Sequence, residues 1–212
     1  MDTMISEWLA ALQYRLGATL DASGKIVPDT SWSAQLLSSE RLWMIIEGTH
    51  VLTLMVFAGT ILFVDLRLLG LAFRKTPVSQ VADSVLPWTV GGFVVLLVTG
   101  LTLFFSNPLE YYHNLAFRLK FLFLAVAALN IFWFHVRVQA NRPVWDAAEV
   151  PPARVRAAGA TSIALWFLVI FSGRYMAYDW VTCMNPSALV SAIDQCEAHD
   201  AAQEKIDAEI AQ

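Results

Sequence analysis

Two ionisable residues, Glu47 and His50, lie in a long apolar stretch and are separated by three positions. In a helix this spacing places both side chains on one face. An ionisable residue inside a membrane span is costly and points to a functional role. The pair predicts a cofactor-ligating or proton-handling histidine whose tautomer the carboxylate sets. The alternative is a structural histidine that is hydrogen-bonded to Glu47 or to a neighbouring carbonyl.

Four further residues are typical of a haem site around His50. Gly100 falls at the depth of His50 on another predicted span, where a small residue leaves room for a flat ring or lets helices approach closely. Arg118, Lys120 and Arg174 form a cationic rim that could bind haem carboxylates through charge-assisted hydrogen bonds. Snorkelling to lipid phosphates is the alternative role of that rim. We therefore predict a haem b site with His50 as iron ligand, and copper as the alternative metal.

The second axial ligand has two candidates, His113 in a connection and Met176 at the end of a span. His135 lies about 15 residues further along its span than the depth of His50, which is more than about 20 Å by helical rise. His50 and His135 are therefore not expected to bind one iron, and a five-coordinate haem is also consistent with the sequence.

Further polar residues lie at the ends of the first and third spans that are farther from the depth of His50. The first span carries Asp65 with Arg67 at this end, and the third carries His135 with Arg137. We predict that Asp65 pairs with an arginine or with His135 and so fixes the two spans against each other. A second cofactor site at His135 is the alternative, and it would extend an electron path across the bilayer.

The elements that position these residues follow from composition. Of the 212 residues 57% are hydrophobic and only 15% are charged, with a mean hydropathy of +0.54. These values exclude a soluble globular domain, a disordered chain and a nucleic-acid-binding protein. A span needs about 20 apolar residues, and four segments qualify: 42–66, 88–105, 117–136 and 157–176. The predicted fold is all-α, an antiparallel four-helix transmembrane bundle.

The scarce charges predict the topology. Two connections, 67–87 and 137–156, together with Asp65, carry seven of the fourteen basic residues and four acidic ones, whereas the rest of the chain has a net charge of −7. By the positive-inside rule both connections are cytoplasmic. The protein is thus expected in a bacterial inner membrane, as a multi-pass protein with both termini on the periplasmic side.

Two terminal segments flank the membrane domain, which is expected over residues 42–176. In residues 1–41 the apolar positions Ile5, Trp8, Leu9, Leu12, Leu16 and Leu20 recur at helical spacing. This pattern predicts an amphipathic helix on the outer surface. Residues 177–212 form an outer tail, where Cys183 and Cys196 are expected to form a disulfide in an oxidising compartment. Binding of Cu(I) through Cys183, Met184, Cys196 and His199 is the alternative.

Short motifs add a family resemblance over about residues 32–175. Glu47-Gly-Thr-His50, Phe57-Ala-Gly59, Val98-Thr-Gly100 and Phe117-Arg-Leu-Lys120 resemble a family of bacterial four-helix membrane proteins of unassigned function. More distantly, the chain resembles the membrane domain of copper-resistance protein D and the haem-binding membrane protoporphyrinogen oxidase. That resemblance implies haem b or copper at histidines in the spans. Because the spacing from His50 to the Ala-Gly pair differs by one residue, the expectation does not include oxidase activity.

Two functional hypotheses follow. The first is a b-type haem protein that passes electrons in or across the membrane. The second is a non-redox membrane protein, either a carrier of copper or another metal, or an accessory subunit that docks a periplasmic partner. Besides the lipid bilayer, the expected partner is a periplasmic redox or metal-carrying protein. Whether the chain is an enzyme and whether it forms a homo-oligomer are left open.

Overall fold

A computed structural model describes residues 2–138, 142–176, 178, 182–184 and 186–211. This part of the chain is helical, apart from turns and an isolated antiparallel bridge between Leu20 and Ile26. A π-helical segment, Phe134–Val138, continues α6. The helices are α1 Asp2–Arg15, α2 Trp32–Ser38, α3 Glu40–Leu69, α4 Val78–Ser106, α5 Pro108–Tyr112, α6 Leu115–Trp133, α7 Arg142–Trp145, α8 Ala153–Tyr175, α9 Ala188–Asp194 and α10 Cys196–Ala211.

Four of these helices are long and apolar enough to cross a membrane: α3, α4, α6 with its π-helical continuation, and α8. The prediction of an all-α membrane fold with four spans is confirmed. The largest difference in extent is in α4, which begins at Val78 rather than near residue 88 and contains Pro87.

The early start of α4 depends on a contact that is distant in sequence. The first helical turns leave backbone N–H groups without intrahelical partners. Asp146 supplies acceptors from a distant part of the sequence: the Ser79 amide donates to Asp146 Oδ1 at 2.8 Å and the Ser79 hydroxyl donates to Oδ2 at 2.6 Å. Burial raises the pKa of Asp146, but these bonds and the nearby Arg142 outweigh it and hold that pKa below its usual value.

The chain divides into two compact units. The terminal unit comprises residues 1–49, 98–118 and 173–212, and the span unit comprises residues 50–97 and 119–172. Each long helix contributes to both units.

In the span unit, α3 packs against α4 at Phe57. A Cβ atom on Gly92 would lie 3.3 Å from the Phe57 Cβ, so the glycine permits a close approach. One turn further, Thr89 donates a hydrogen bond to the Thr60 hydroxyl at 2.9 Å. On its other side Phe57 meets the edge of Trp166 of α8 at a centroid distance of 5.0 Å. Small residues and hydroxyl pairs of this kind are the usual means of helix association in membranes.

Gly159 plays a comparable role where α8 crosses α3. A Cβ at this position would come within 3.0 Å of the Leu68 Cβ and 3.1 Å of the Asp65 carbonyl oxygen. We expect Gly159→Ala to destabilise the span unit by about 1–3 kcal/mol, because the backbone of α3 would have to shift. The matched control is Gly91→Ala, since a Cβ there meets no atom within 4 Å. The free energy of unfolding in detergent is measured for both variants. Equal stabilities would contradict a close approach of α8 to α3 at Gly159.

Arg67 lies beyond this crossing and is fully buried. Its guanidinium donates to the carbonyl of Thr76 at 2.6 Å, to that of Ala148 at 2.9 Å, and at longer range, 3.4 Å, to that of Asp146. One arginine therefore ties together the connection after α3 and the connection before α8. An apolar cluster packs beside it: Leu68, Val78, Val138, Trp145 and Val155.

Asp65 does not form the ion pair that the sequence predicts. Its side chain is 4% exposed, it interacts with Ser162 of α8, and its Oδ2 has no hydrogen-bond partner. The ion pairs of the described residues do not include it. Arg67 is directed to backbone carbonyls instead, while Arg137 and His135 are exposed on the π-helical segment. The register of α3 therefore turns Asp65 towards α8 rather than towards α6.

The terminal unit contains α1, which packs against α5 and α10 through a small apolar cluster of Leu9, Ala10, Leu109 and Ala202, with Ile5 beside it. Two ion pairs, Arg15 with Glu209 and Glu7 with Lys205, tie α1 to α10. The predicted N-terminal helix is present but ends at Arg15, so Leu16 and Leu20 lie beyond it. Trp8 is 62% exposed and points away from the packed face. Some apolar residues of α1 thus pack inside the protein, whereas others are exposed on its surface.

Cys183 and Cys196 form the predicted disulfide, with a Cα–Cα distance of 5.3 Å. It closes a loop of thirteen positions before α10 and holds α9 inside that loop. Because the two sulfurs are bonded to each other, they are not thiolates that could bind Cu(I). The alternative of a copper site on these cysteines is therefore wrong.

Candidate functional site

His50 and Lys120 come together in the span unit. His50 lies on α3 and Lys120 on α6, both side chains are partly buried, and they are close enough to interact electrostatically. Electrostatic interactions are strong in apolar surroundings because little water screens them. An imidazole and a lysine amine therefore lie within electrostatic range of each other at a depth where polar groups are rare.

Glu47 belongs to the terminal unit, although it precedes His50 on the same helix. Its side chain is exposed and interacts electrostatically with Tyr111. Burial and the Glu47 charge together raise the pKa of Tyr111, so the phenol stays protonated at neutral pH. The Tyr111 ring stacks on Phe117 at a centroid distance of 5.7 Å. Glu47 is thus within electrostatic range of Tyr111, an interaction that the sequence does not predict.

His113 is fully buried in the terminal unit and both of its ring nitrogens are engaged. Nδ1 lies 2.5 Å from the backbone carbonyl oxygen of Asp194, and Nε2 lies 2.9 Å from the Ser6 hydroxyl. Since a carbonyl only accepts, Nδ1 carries the proton and the hydroxyl donates to Nε2. The ring therefore has no free lone pair for iron, and His113 is removed from the candidate ligands.

Arg118 is held by the same part of the tail. It donates to the carbonyl of Tyr112 at 2.9 Å and to that of Ile193 at 2.8 Å, and its Nε lies 3.6 Å from Asp194 Oδ1. Its guanidinium also lies over the Tyr112 ring. The Asp194 side chain is fully buried, and burial raises its pKa although Arg118 opposes this. Arg118 therefore serves the tail rather than an open rim for haem carboxylates.

A second histidine lies against the first. The His199 ring of α10 is 5.5 Å from that of His113, centroid to centroid. His199 Nε2 lies 3.0 Å from Glu110 and Nδ1 lies 2.9 Å from Asp200. Burial lowers the pKa of His199, but its two carboxylate partners outweigh burial and raise the pKa above its usual value. Because the pKa of His113 is lowered, mainly by burial, His199 takes up a proton at a higher pH than His113 does.

The Ser6–His113 pair has the spacing of a nucleophile and its base. Ser6 is fully buried, however, and a substrate carbonyl could not reach its hydroxyl. The arrangement is therefore structural. We call Ser6, His113 and Asp194 the imidazole clamp.

Each of the other predicted site residues has its own local surroundings. His135 is exposed, and its Nδ1 lies 2.8 Å from the Ile131 carbonyl oxygen. Arg174 is exposed, with its guanidinium 5.5 Å from the Tyr178 ring centroid. Gly100 is partly buried within α4, and the Met176 carbonyl accepts a hydrogen bond from Asn114 at 3.2 Å.

No group of three or more His, Cys, Asp or Glu side chains comes together as a metal-binding cluster in the part of the chain that the structure describes. Among the residues that the haem hypothesis named, the span unit brings together His50 and Lys120.

Comparison with known proteins places these residues within a family. A family profile described as a family of unknown function (DUF6644) matches residues 44–179. The chain belongs to this family. No curated protein and no solved structure matches it. The matched range includes His50, His113 and Lys120, whereas Ser6 and Asp194 lie outside it. The partners of the imidazole clamp are therefore supplied by segments that flank the family region.

Proposed function

We propose that this protein binds haem b in the membrane and passes electrons, with His50 as the iron ligand. The observation that carries the proposal is a partly buried imidazole within electrostatic range of a partly buried lysine inside the span unit. A neutral imidazole is a common axial ligand of haem iron. An ammonium group is a suitable partner for a haem carboxylate in apolar surroundings. The donor set at His50 and Lys120 therefore fits a haem.

The haem would supply one-electron chemistry at its iron. The chain would supply the ligand, the counter-charge and the apolar surroundings. His50 would hold the iron through a ring nitrogen, Lys120 would orient a haem carboxylate, and the apolar helices would limit the access of water. Because both nitrogens of His113 are occupied, the proposal rests on His50 as the protein ligand.

His50→Ala is expected to abolish haem binding, because the variant loses the iron ligand. The measurement is the reduced-minus-oxidised absorbance of detergent-purified protein, together with extractable haem per chain. His135→Ala is the matched control, since it also removes a histidine from a span, but one whose side chain is exposed. Wild-type protein that carries no haem after expression with haem supply would contradict the proposal.

The metal content of the same samples tests the second candidate class. Copper that is present in wild-type protein and lost in His50→Ala, with iron absent, would favour a metal carrier. Protein that holds neither metal would favour an accessory subunit, in which His50 has a structural role.

The proposal includes both termini on the periplasmic side of a bacterial inner membrane. Charge asymmetry supports this orientation. The disulfide between Cys183 and Cys196 also supports it, because such bonds persist in oxidising compartments.

A further inference from the structure

The imidazole clamp joins three segments that are far apart in the sequence. Ser6 lies on α1, His113 lies between α5 and α6, and Asp194 ends α9. One ring bridges all three, with contacts of 2.9 Å and 2.5 Å. The protonation state of this ring therefore bears on whether the tail stays attached to the connection between α4 and α6.

A neutral ring satisfies both contacts of the clamp. Nδ1 donates to the Asp194 carbonyl and Nε2 accepts from the Ser6 hydroxyl. A proton added at Nε2 makes both nitrogens donors. The Ser6 hydroxyl must then turn from donor to acceptor, and a full positive charge lies in a site that is closed to water.

The charged groups around His113 make that charge unfavourable. Arg118 of α6 and His199 of α10 face it as cations, and Glu110 of α5 faces it as an anion. Glu110 is already hydrogen-bonded to His199 at 3.0 Å, so its charge is largely balanced. Asp194 of α9 contributes its carbonyl, while its carboxylate is paired with Arg118 at 3.6 Å. From α1 comes the Ser6 hydroxyl.

We propose that the imidazole clamp is an acid-operated latch: when His113 takes up one proton, α9 and the disulfide-tied tail are released from α1 and from the connection between α4 and α6. The device senses the pH of the compartment that holds the tail. It is independent of whether His50 binds a cofactor.

The direction of the pH dependence follows from proton linkage. Burial lowers the pKa of His113, and the charges of His199 and Arg118 lower it further; the hydrogen bond to the Asp194 carbonyl and the Glu110 charge oppose this but are outweighed. The folded clamp therefore binds fewer protons than the open one, so its stabilising effect is complete above about pH 6.5, the ordinary value for histidine. It is lost as the pH falls from there towards the folded-state pKa.

The pH dependence of two neighbouring residues, His199 and Asp194, opposes that of His113. The raised pKa of His199 makes its contribution complete below about pH 6.5 and lost as the pH rises further. The raised pKa of Asp194 makes the folded state bind a proton above about pH 3.9, so acid favours closure at that residue. Variants at both positions are therefore needed to assign the response to His113.

The test is hydrogen–deuterium exchange of the full-length protein in detergent between pH 7.5 and pH 5, corrected for intrinsic exchange rates. We expect the protection of the α9 and α10 amides to fall as the pH is lowered. Below the ordinary pKa of histidine, the fall should be about tenfold per pH unit until the folded-state pKa of His113 is reached. Protection within the span unit should stay constant and serves as the internal reference. A wild-type tail whose protection is the same at both pH values overturns the proposal.

His113→Asn keeps a donor near the Asp194 carbonyl but does not titrate, so its tail should exchange at the same corrected rate across the pH range. His199→Gln removes a facing cation and should reduce the acid-induced loss of protection. Asp194→Asn should leave that loss in place. If acid opens His113→Asn as it opens wild type, or if Asp194→Asn abolishes the response, His113 is not the sensor. Should His113→Asn fail to fold, the response of His199→Gln decides, and an unchanged loss overturns the latch.

Discussion

Arg67→Ala is expected to lower the free energy of unfolding by about 3 kcal/mol, because it leaves buried backbone carbonyls without a donor. The guanidinium holds the carbonyl oxygens of Thr76 and Ala148 at 2.6 and 2.9 Å. Both connections that it joins would lose their shared donor at once. Unfolding in detergent–denaturant mixtures measures the loss, and limited proteolysis near residues 70–77 and 146–150 locates it.

Two further variants separate the hydrogen bonds from the charge. Arg67→Met keeps much of the side-chain volume but supplies no donor, so it should be nearly as unstable as the alanine variant. Arg67→Lys retains the charge and one donor direction, and should be intermediate. Arg74→Ala is the matched control, because Arg74 is exposed and makes one hydrogen bond, to the Gly70 carbonyl at 2.6 Å. Equal stability of the Arg67 and Arg74 variants would show that the buried arginine does not hold the connections.

The spans could be predicted from the sequence because their signal is local. Each is a run of apolar residues whose length must match the bilayer, and α3, α4, α6 and α8 all contain the predicted segments in large part. The start of α4 could not be predicted in the same way. Its polar first turns depend on Asp146, which lies 67 positions from Ser79 in sequence, and no local pattern indicates that contact.

The candidate site was predicted unevenly for a similar reason. His50 and Lys120 stand out because polar residues are rare in apolar helices, and the structure places them together. The ion pair at Asp65 was predicted from depth alone, whereas the rotation of a helix about its axis decides which neighbour a side chain meets. An apolar helix whose residues are hydrophobic on all sides carries little sequence information about that rotation.

The imidazole clamp shows the same limit most clearly. His113 lies 107 positions from Ser6 and 81 from Asp194. A serine in an amphipathic helix and an aspartate in an acidic tail are ordinary surface residues by sequence, and only the fold buries them. The disulfide was predictable because the chain has two cysteines, so the pairing follows once the compartment is inferred.

Replacing both Cys183 and Cys196 with serine is expected to destabilise the segment that contains α9 and α10 by about 3 kcal/mol. The bond closes a loop of thirteen positions, and a loop of about 15 residues removes this much conformational entropy from the unfolded chain. The loss should be local, because the long helices do not depend on the bond. Hydrogen exchange should show faster opening of residues 186–211, with the span unit unchanged.

Treatment with a reductant separates the bond from the side-chain change. Wild-type protein should lose tail protection on reduction, while the double serine variant should not change further. Cys196 is 3% exposed, so reduction of the folded protein should be slow and should accelerate when the tail opens. Because the disulfide and the imidazole clamp both restrain α9, the double serine variant combined with His113→Asn should depart from additivity. Additive effects would mean that the two restraints act on separate parts of the tail.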